Sequence, residues 1–250
     1  MRAALLTVHL PEVLADTTLP VHIAIIMDGN RRWARRMGKP PIFGHRQGAE
    51  AVRRTVEACA RLGIRYLTLY AFSAENWRRP QQEVGELMNL LRYYLQREID
   101  SLHDKDVRIR VIGERRGLDP DIIALIDRAE HLTRANRRLQ VIVALNYGAR
   151  QEIVRAARRL AEAARAGRLD PAQIDERRFA RALDTAGIPD PDLLIRTSGE
   201  QRISNFLLWQ LAYTELVFLP VSWPEFAESH LVQALIEYGR RERRYGASAG

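Results

Sequence analysis

The amino-acid sequence predicts an α/β fold: a single domain with a mostly parallel six-stranded sheet flanked by helices. Three observations lead to this prediction. Short apolar segments of strand length alternate with longer segments whose apolar residues recur at helical spacing. Hydrophobic residues make up 46% of the 250 residues, which is normal for a protein with a full core. No repeat, low-complexity tract or linker divides the chain.

The first predicted strand covers residues 22–27 and is rich in isoleucine, too short for a helix. Asp28, Gly29, Asn30 and a pair of arginines follow it directly. Open α/β sheets bind their ligands at the carboxyl ends of parallel strands, which is where Asp28 would lie. A carboxylate of this kind suits Mg²⁺, and the glycine and arginines suit a phosphate or diphosphate. Taken alone, the segment is equally consistent with an ordinary surface turn.

The other elements follow from periodicity and from residues that end or begin a helix. An amphipathic helix over 44–62 ends at Gly63, and Asp119 with Pro120 has the residue types that open a helix. A long helix over 83–102 is expected to form a wall of the domain. Further strands are predicted at 66–72, 108–113, 139–145, 193–197 and 215–218, and further helices after 120, before Gly167, from 170 and at 226–238.

The formal charge of +8 comes mostly from arginine, because Lys39 and Lys105 are the only lysines. Arginine suits bidentate phosphate recognition, but basic character alone also fits nucleic acid, a membrane surface or an anionic substrate. Cys59 stands alone, which excludes an internal disulfide. No segment has the length of a membrane span, and residues 1–20 lack the pattern of a signal peptide, so a cytoplasmic protein is expected.

Three polar segments, at 28–33, 73–79 and 196–204, each follow a predicted strand and are expected to meet at one edge of the sheet. Any one of them is typical of a turn or a helix cap. Together they indicate a site for more than one phosphate group. The sequence lacks a Walker A motif, a G-x-G-x-x-G motif after the first strand and histidine pairs at zinc spacing. The segments contribute Arg31, Arg32, Arg79, Arg196, Arg202, Ser73, Asn76 and Ser204, with His45 nearby.

Several motifs at matching spacing resemble the cis-prenyltransferase family, and within it the bacterial undecaprenyl diphosphate synthases. The resemblance covers roughly residues 20–245 in unbroken order, and a set of motifs is far more specific than one alone. The chain has no Asp-Asp-x-x-Asp motif of the trans-prenyl synthases. The matching residues are Met27-Asp28-Gly29-Asn30, Arg32-Trp33-Ala34, Phe43-Gly44-His45, Tyr70-Ala71-Phe72-Ser73, Glu75-Asn76-Trp77, Arg79-Pro80, Asn146-Tyr147-Gly148, Arg196-Thr197, Glu200, Arg202-Ile203-Ser204-Asn205-Phe206 and Trp209.

The resemblance implies a homodimer with a hydrophobic tunnel between the sheet and the helices. It implies Mg²⁺-dependent condensation of isopentenyl diphosphate with an allylic diphosphate, usually farnesyl diphosphate, each new double bond being cis. The product would be a long polyprenyl diphosphate such as undecaprenyl diphosphate, a carrier-lipid precursor for cell-wall synthesis, released through peripheral contact with a membrane. The alternatives are a synthase of shorter chains and a non-catalytic partner subunit. A nucleic-acid-binding protein is disfavoured, because no such motif is present.

The resemblance also implies roles for individual residues. Asp28 would hold Mg²⁺ together with Glu215, and Asp28 and Asn76 would be catalytic, with Asn76 assisting proton removal or departure of the leaving group. Arg31, where the family commonly has glycine, would add a cation, and Pro41 stands where an arginine is common. The remaining substrate-binding residues would be Gly29, Asn30, Arg31, Arg32, Trp33, His45, Ser73, Ala74, Glu75, Trp77, Arg79, Arg196, Arg202, Ile203 and Ser204.

Two further expectations concern boundaries and product length. Residues 1–20 are expected to be an N-terminal extension and residues 21–246 the cis-prenyltransferase domain. Strand alternation predicts that Ala71 and Ser73 point to the same face. A small side chain at Ala71 would then leave room for a growing isoprenoid chain, although close packing of a helix explains it equally well.

Overall fold

A computed structural model gives the architecture of the protein, and it describes residues 11–15 and 17–241. The expected N-terminal extension therefore lies largely outside the described residues, as does most of the arginine-rich segment that begins at Arg240.

The core of the fold is one sheet of six strands in which every pair of neighbours is parallel. The strand order is β3-β4-β2-β1-β5-β6. The predicted α/β fold and strand count are confirmed, and the sheet is parallel throughout. The strands are β1 (His22–Ile26), β2 (Tyr66–Ser73), β3 (Val107–Ile112), β4 (Leu139–Tyr147), β5 (Leu193–Arg196) and β6 (Glu215–Phe218).

Among residues 11–15 and 17–241, six α-helices lie between strands and a seventh follows β6: α1 (Asn30–Arg36), α2 (Pro41–Arg61), α3 (Gln81–Asp104), α4 (Pro120–Thr133), α5 (Ala149–Arg165), α6 (Glu176–Arg181) and α7 (Glu228–Gly239). The sequence did not predict α1, because its segment Asn-Arg-Arg-Trp-Ala-Arg-Arg carries no apolar stripe. A short 3₁₀ helix, Ala74–Arg78, follows β2. The polar segments after β1 and β2 are thus short helices and not the loops that the sequence predicted.

The core lies on both faces of the sheet, which explains the continuous apolar character of the strands. All five residues of β1 are buried, and Ile25 registers between Leu69 of β2 and Ile195 of β5. On one face, Ile25 packs in a cluster with residues of α2 and α7, including Val56 and Leu235. On the other face, neighbouring strand residues pack with α5 and with the segment that follows β5. β1 is therefore a fully enclosed inner strand of the sheet.

The order of the strands places the ligand-binding edge beside β1. The chain moves from β1 to β2 on one side, whereas β5 lies on the other side of β1. Such a reversal leaves a crevice at the carboxyl ends of the two strands. Asp28 follows β1, and Thr197 and Ser198 follow β5, so the first and third polar segments meet at this crevice.

The pairing of β2 with β4 is irregular beside Ala71, and the expectation for Ala71 stays a prediction. Tyr70 pairs with Ala144 and Phe72 with Leu145, so Ala71 is the extra residue of a β-bulge. A second irregularity follows between Phe72, which pairs with Leu145, and Ser73, which pairs with Tyr147. Ala71 is exposed, whereas Phe72 is buried against residues of α3 and α4.

Burial of His22 makes the stability of this fold sensitive to acid. Its ring bonds the carbonyl of Pro189 at 2.6 Å and the hydroxyl of Thr68 at 2.7 Å. The side chain is 1% exposed, and desolvation lowers the pKa of His22 from 6.5 to about 4.

We predict that acid destabilises the protein through His22 between pH 6.5 and 4. In that window the unfolded chain binds a proton that the folded chain does not. The free energy of unfolding therefore falls by up to about 1.4 kcal/mol for each unit by which the pH is lowered. Urea denaturation at several pH values measures this slope. His22→Asn, which does not titrate, is expected to show a smaller slope, and an unchanged slope would contradict the assignment.

Candidate active site

The Asp28 carboxylate and the Arg196 guanidinium form the centre of the candidate site. Arg196 Nη2 donates to Asp28 Oδ2 at 2.9 Å, and the Arg196 side chain is only 4% exposed. Its Nη1 donates to Ser204 Oγ at 2.8 Å and to the carbonyl of Arg202. One buried guanidinium thus joins the end of β1 to the segment after β5. Arg196 Nε is buried without a hydrogen-bond partner among the described residues.

Backbone contacts fix Asp28 in place. Its N–H donates to Thr197 Oγ1 at 2.9 Å, and its carbonyl accepts from the N–H of Trp223 at 2.9 Å. Asp28 Oδ1 also accepts from the N–H of Gly29 at 2.7 Å. Gly29 has φ = 103°, and a Cβ there would lie 2.6 Å from Ser198 Oγ. Glycine is therefore required at this position for both conformation and space.

Close packing against α2 positions α1. A Cβ at Gly44 would lie 2.0 Å from the carbonyl oxygen of Asn30, and one at Gly48 would lie 2.5 Å from Asn30 Oδ1. These two glycines, one helical turn apart, let the start of α1 approach the helix closely. Asn30 Oδ1 is buried and has no hydrogen-bond partner within the described chain. Trp33 of α1 stacks on Phe43 of α2, with 5.8 Å between ring centroids, and adds to the same contact.

A first group of cations surrounds Glu83, in the first turn of α3. Arg79 Nη1 donates to Glu83 Oε1 at 3.0 Å, and Arg31 Nη1 lies 3.7 Å from Glu83 Oε2. Desolvation by burial, followed by the charge of Arg79, lowers the pKa of His45 to about 4. The imidazole is therefore neutral at physiological pH, and its buried Nε2 has no partner among the described residues. Arg31, Arg79 and His45 were predicted from the sequence as site residues, whereas Glu83 was not.

A second group of cations surrounds Glu200. Arg32 Nη1 lies 2.7 Å from Glu200 Oε1, and Arg202 Nη1 donates to Glu200 Oε2. The hydrogen bond from Arg202 is the main cause of a lowered pKa of Glu200. Arg32 also lies 3.6 Å from Asp28 Oδ1, which connects this group to the centre of the site. Five arginines thus converge on three carboxylates.

A hydrogen bond from the backbone of Ser73 to the side chain of Asn76 shapes the segment after β2. Asn76 Oδ1 accepts from the N–H of Ser73, the residue that precedes the 3₁₀ helix, at 3.0 Å. The side-chain oxygen Oδ1 of Asn76 therefore already accepts a hydrogen bond from the backbone. Trp77 is 38% exposed and donates from Nε1 to Asn146 Oδ1 at 2.8 Å, which ties the 3₁₀ helix to the end of β4.

Asn205 joins two of the polar segments. Its Nδ2 donates to Glu75 Oε1 at 2.7 Å and to Gln151 Oε1 at 3.0 Å. Ser204 and Asn205 both adopt positive φ, 49° and 60°, so the chain reverses sharply here. Ile203, just before them, is half-buried against the core. Ala74 begins the 3₁₀ helix that carries Glu75. The sequence named Glu75 but not its connection to Asn205.

Glu215 is the predicted site residue that this chain does not bring to the site. Glu215 pairs with Leu193 of β5, and Leu193 pairs with Ile23 of β1. Glu215 therefore lies at the opposite end of the strands from Asp28. Five strand residues separate the two levels, on the order of 15 Å. Glu215 Oε2 instead accepts from Arg241 Nη1 at 2.9 Å. Within one chain Glu215 therefore lies apart from Asp28, and its part in a metal site stays a prediction.

The donors around Asp28 fit a magnesium ion that arrives with a diphosphate. Mg²⁺ commonly binds one or two carboxylates and completes its shell with water and phosphate oxygens. Asp28 is 29% exposed and lies among arginines, which supply the charge to hold the phosphates. No group of three or more His, Cys, Asp or Glu within residues 11–15 and 17–241 forms a metal cage.

Comparisons with known proteins identify the family. The model of a family described as "Putative undecaprenyl diphosphate synthase" matches residues 26–246. Isoprenyl transferase 2 of Bradyrhizobium diazoefficiens is 56% identical over 91% of this chain and 90% of its own. Ditrans,polycis-undecaprenyl-diphosphate synthase ((2E,6E)-farnesyl-diphosphate specific) of Vibrio cholerae is 51% identical over 94% of both chains. The crystal structure of lavandulyl diphosphate synthase from Lavandula x intermedia, in complex with dimethylallyl diphosphate, superposes with a TM-score of 0.88 at 38% identity, over 94% of this chain and 100% of its own.

The protein is a prenyl-transferring enzyme. Its parallel sheet carries an arginine-rich site at the switch point, and the family model matches nearly the whole chain. The chain belongs to the cis-prenyltransferase family, that of undecaprenyl diphosphate synthase. Within the part of the chain that the structure describes, no helix has the length and apolar character needed to cross a membrane.

We predict that Asp28→Ala lowers the free energy of unfolding by about 1–3 kcal/mol, because the nearly buried Arg196 loses a charged partner. Asp28→Asn keeps an oxygen for Arg196 Nη2 and is expected to cost less. Urea denaturation of the two variants measures the difference. Equal stability of both variants and wild type would show that the ion pair contributes nothing to the fold.

Proposed function

We propose that this enzyme condenses isopentenyl diphosphate with farnesyl diphosphate to a long-chain polyprenyl diphosphate of the undecaprenyl type. The observation that carries the proposal is the convergence of five arginines on three carboxylates, Asp28, Glu83 and Glu200, in the segments that follow the carboxyl ends of the strands. Two substrates that each carry a diphosphate require such an excess of cations. The Vibrio relative, at 51% identity, is named for the farnesyl substrate and the undecaprenyl product.

The two groups of cations correspond to two diphosphate subsites in this proposal. Arg31 and Arg79 bind the allylic diphosphate, with Gly29 and Asn30 at the start of α1 beside it. Arg202 and Ser204 bind the isopentenyl diphosphate, and Arg196 orients both Ser204 and Asp28. Arg32 lies between the subsites, since it contacts both Glu200 and Asp28.

Asp28 would hold Mg²⁺, which when bound neutralises charge on the departing diphosphate. The arginines stabilise the same charge where it develops. His45 stays neutral and offers Nε2 for a hydrogen bond to the diphosphate. Asn76 acts by shaping the segment that presents Arg79, because its side chain caps Ser73.

The proposal has further parts. Residues 21–246 form the catalytic domain after an extension of 20 residues, and the enzyme works as a homodimer in the cytoplasm, with peripheral membrane contact for product release. Support for a dimer comes from β6, an edge strand near the 70% exposed Tyr213.

A non-catalytic partner subunit is disfavoured because Asp28 and the arginines are all present. A shorter product remains the alternative, since the lavandulyl diphosphate synthase structure is similar over this whole domain.

The direct test is incubation of the purified protein with farnesyl diphosphate, isotope-labelled isopentenyl diphosphate and Mg²⁺, followed by chromatography of the products. We expect long polyprenyl diphosphates, and no product with EDTA or with Asp28→Asn. Loss of the Mg²⁺ and carboxylate contribution is expected to lower turnover on the order of a thousandfold. Short products alone would favour the alternative, and no condensation would refute the proposal.

The division into subsites predicts that two arginine variants weaken the binding of different substrates. Arg79→Ala is expected to raise KM for farnesyl diphosphate, and Arg202→Ala to raise KM for isopentenyl diphosphate, each on the order of tenfold to a hundredfold through a lost charge-assisted hydrogen bond. Steady-state kinetics with one substrate varied at a time measures both constants. Arg78→Ala, an exposed neighbour of Arg79, is the matched control. If both variants affected the same substrate, the subsite assignment would be wrong.

A further inference from the structure

Glu83 is a carboxylate inside the proposed allylic subsite to which the proposed function gives no role. Its side chain is only 13% exposed, although it lies in the first turn of α3. Oε1 accepts from Arg79 Nη1 at 3.0 Å, and Oε2 faces Arg31 Nη1 at 3.7 Å. Each oxygen of one carboxylate therefore meets a different guanidinium, as two oxygens of a phosphate group do.

A local helix contact accounts for only half of this arrangement. Arg79 and Glu83 are four residues apart, and pairs at that spacing are common around helices. Arg31 belongs to α1, a separate element that carries it to the same carboxylate. Glu83 therefore bridges the two arginines that the allylic diphosphate would use.

The charges around this cluster are unbalanced without Glu83. The charged groups that act on His45, on the facing helix α2, are Arg79, Glu83 and Arg31. Of these, Glu83 alone is negative. A neutral imidazole and two guanidinium groups would otherwise face each other without an anion, and like charges at this range repel.

We propose that Glu83 is an internal counter-anion that competes with the diphosphate for Arg31 and Arg79 and limits how tightly this subsite holds pyrophosphate. The inference rests on the proposed function, because it needs a diphosphate at these arginines. Each condensation leaves pyrophosphate in the allylic subsite, and it must depart before the next round. A carboxylate that returns to both guanidinium groups favours that departure, since the arginines regain a partner as the anion leaves.

The sign of one binding change tests this role. Glu83→Gln removes the negative charge and nearly preserves the side-chain shape. Isothermal titration calorimetry with inorganic pyrophosphate is expected to show tighter binding than wild type, on the order of fivefold for a partly exposed pair. Glu86→Gln, on the next turn of α3, where Glu86 accepts from Gln82 at 3.4 Å, is the matched control and is expected to bind as wild type does.

A purely structural role for Glu83 predicts the opposite sign. If Glu83 only held the arginines in position, Glu83→Gln would bind pyrophosphate more weakly than wild type. Weaker or unchanged binding therefore overturns the inference, whereas failure of the wild-type protein to bind pyrophosphate overturns the proposed function itself. Product inhibition by pyrophosphate gives a second readout, and we expect a lower inhibition constant for Glu83→Gln. If that variant does not fold, Glu83→Asp, with a shorter reach, is expected to change affinity in the same direction by less, and tighter inhibition is again required.

Discussion

The bond between the guanidinium of Arg196 and the carboxylate of Asp28 is the interaction on which the site depends. Arg196 is almost fully buried, so its charge requires partners inside the protein. Those partners are Asp28 after β1, and Ser204 and the carbonyl of Arg202 after β5. One side chain therefore sets the relative position of the two segments that face each other at the switch point of the sheet.

The need of each arginine for a negative partner explains why the site combines so many cations with a few acids. Arginines gathered for two diphosphates would repel one another in the absence of substrate. Glu83 and Glu200 each accept contacts from two of them, and Asp28 accepts from Arg196 and lies close to Arg32. In the absence of substrate, every one of these arginines therefore has a carboxylate within 4 Å.

The backbone supports the same arrangement through small residues and capping. Gly29 admits a conformation and a contact that a side chain would block, and Gly44 brings α2 against the start of α1. The capping of Ser73 by Asn76 gives the segment before Arg79 a fixed shape. These residues, named in the sequence for chemistry or for motif resemblance, act in the structure largely by placing their neighbours.

The sequence by itself determined the strands, most helices and the three polar segments at the sheet edge. These features are local, because isoleucine-rich runs such as that of β1 and the helix-starting pair Asp119-Pro120 carry their own signals. Only the tertiary structure decided which charges meet. It pairs Glu83 with Arg31, moves Glu215 to the far end of the sheet and places a bulge at Ala71. The physical reason is that ion pairs between separate elements, and the register of one strand against its neighbour, depend on packing in three dimensions that no local pattern of residues records.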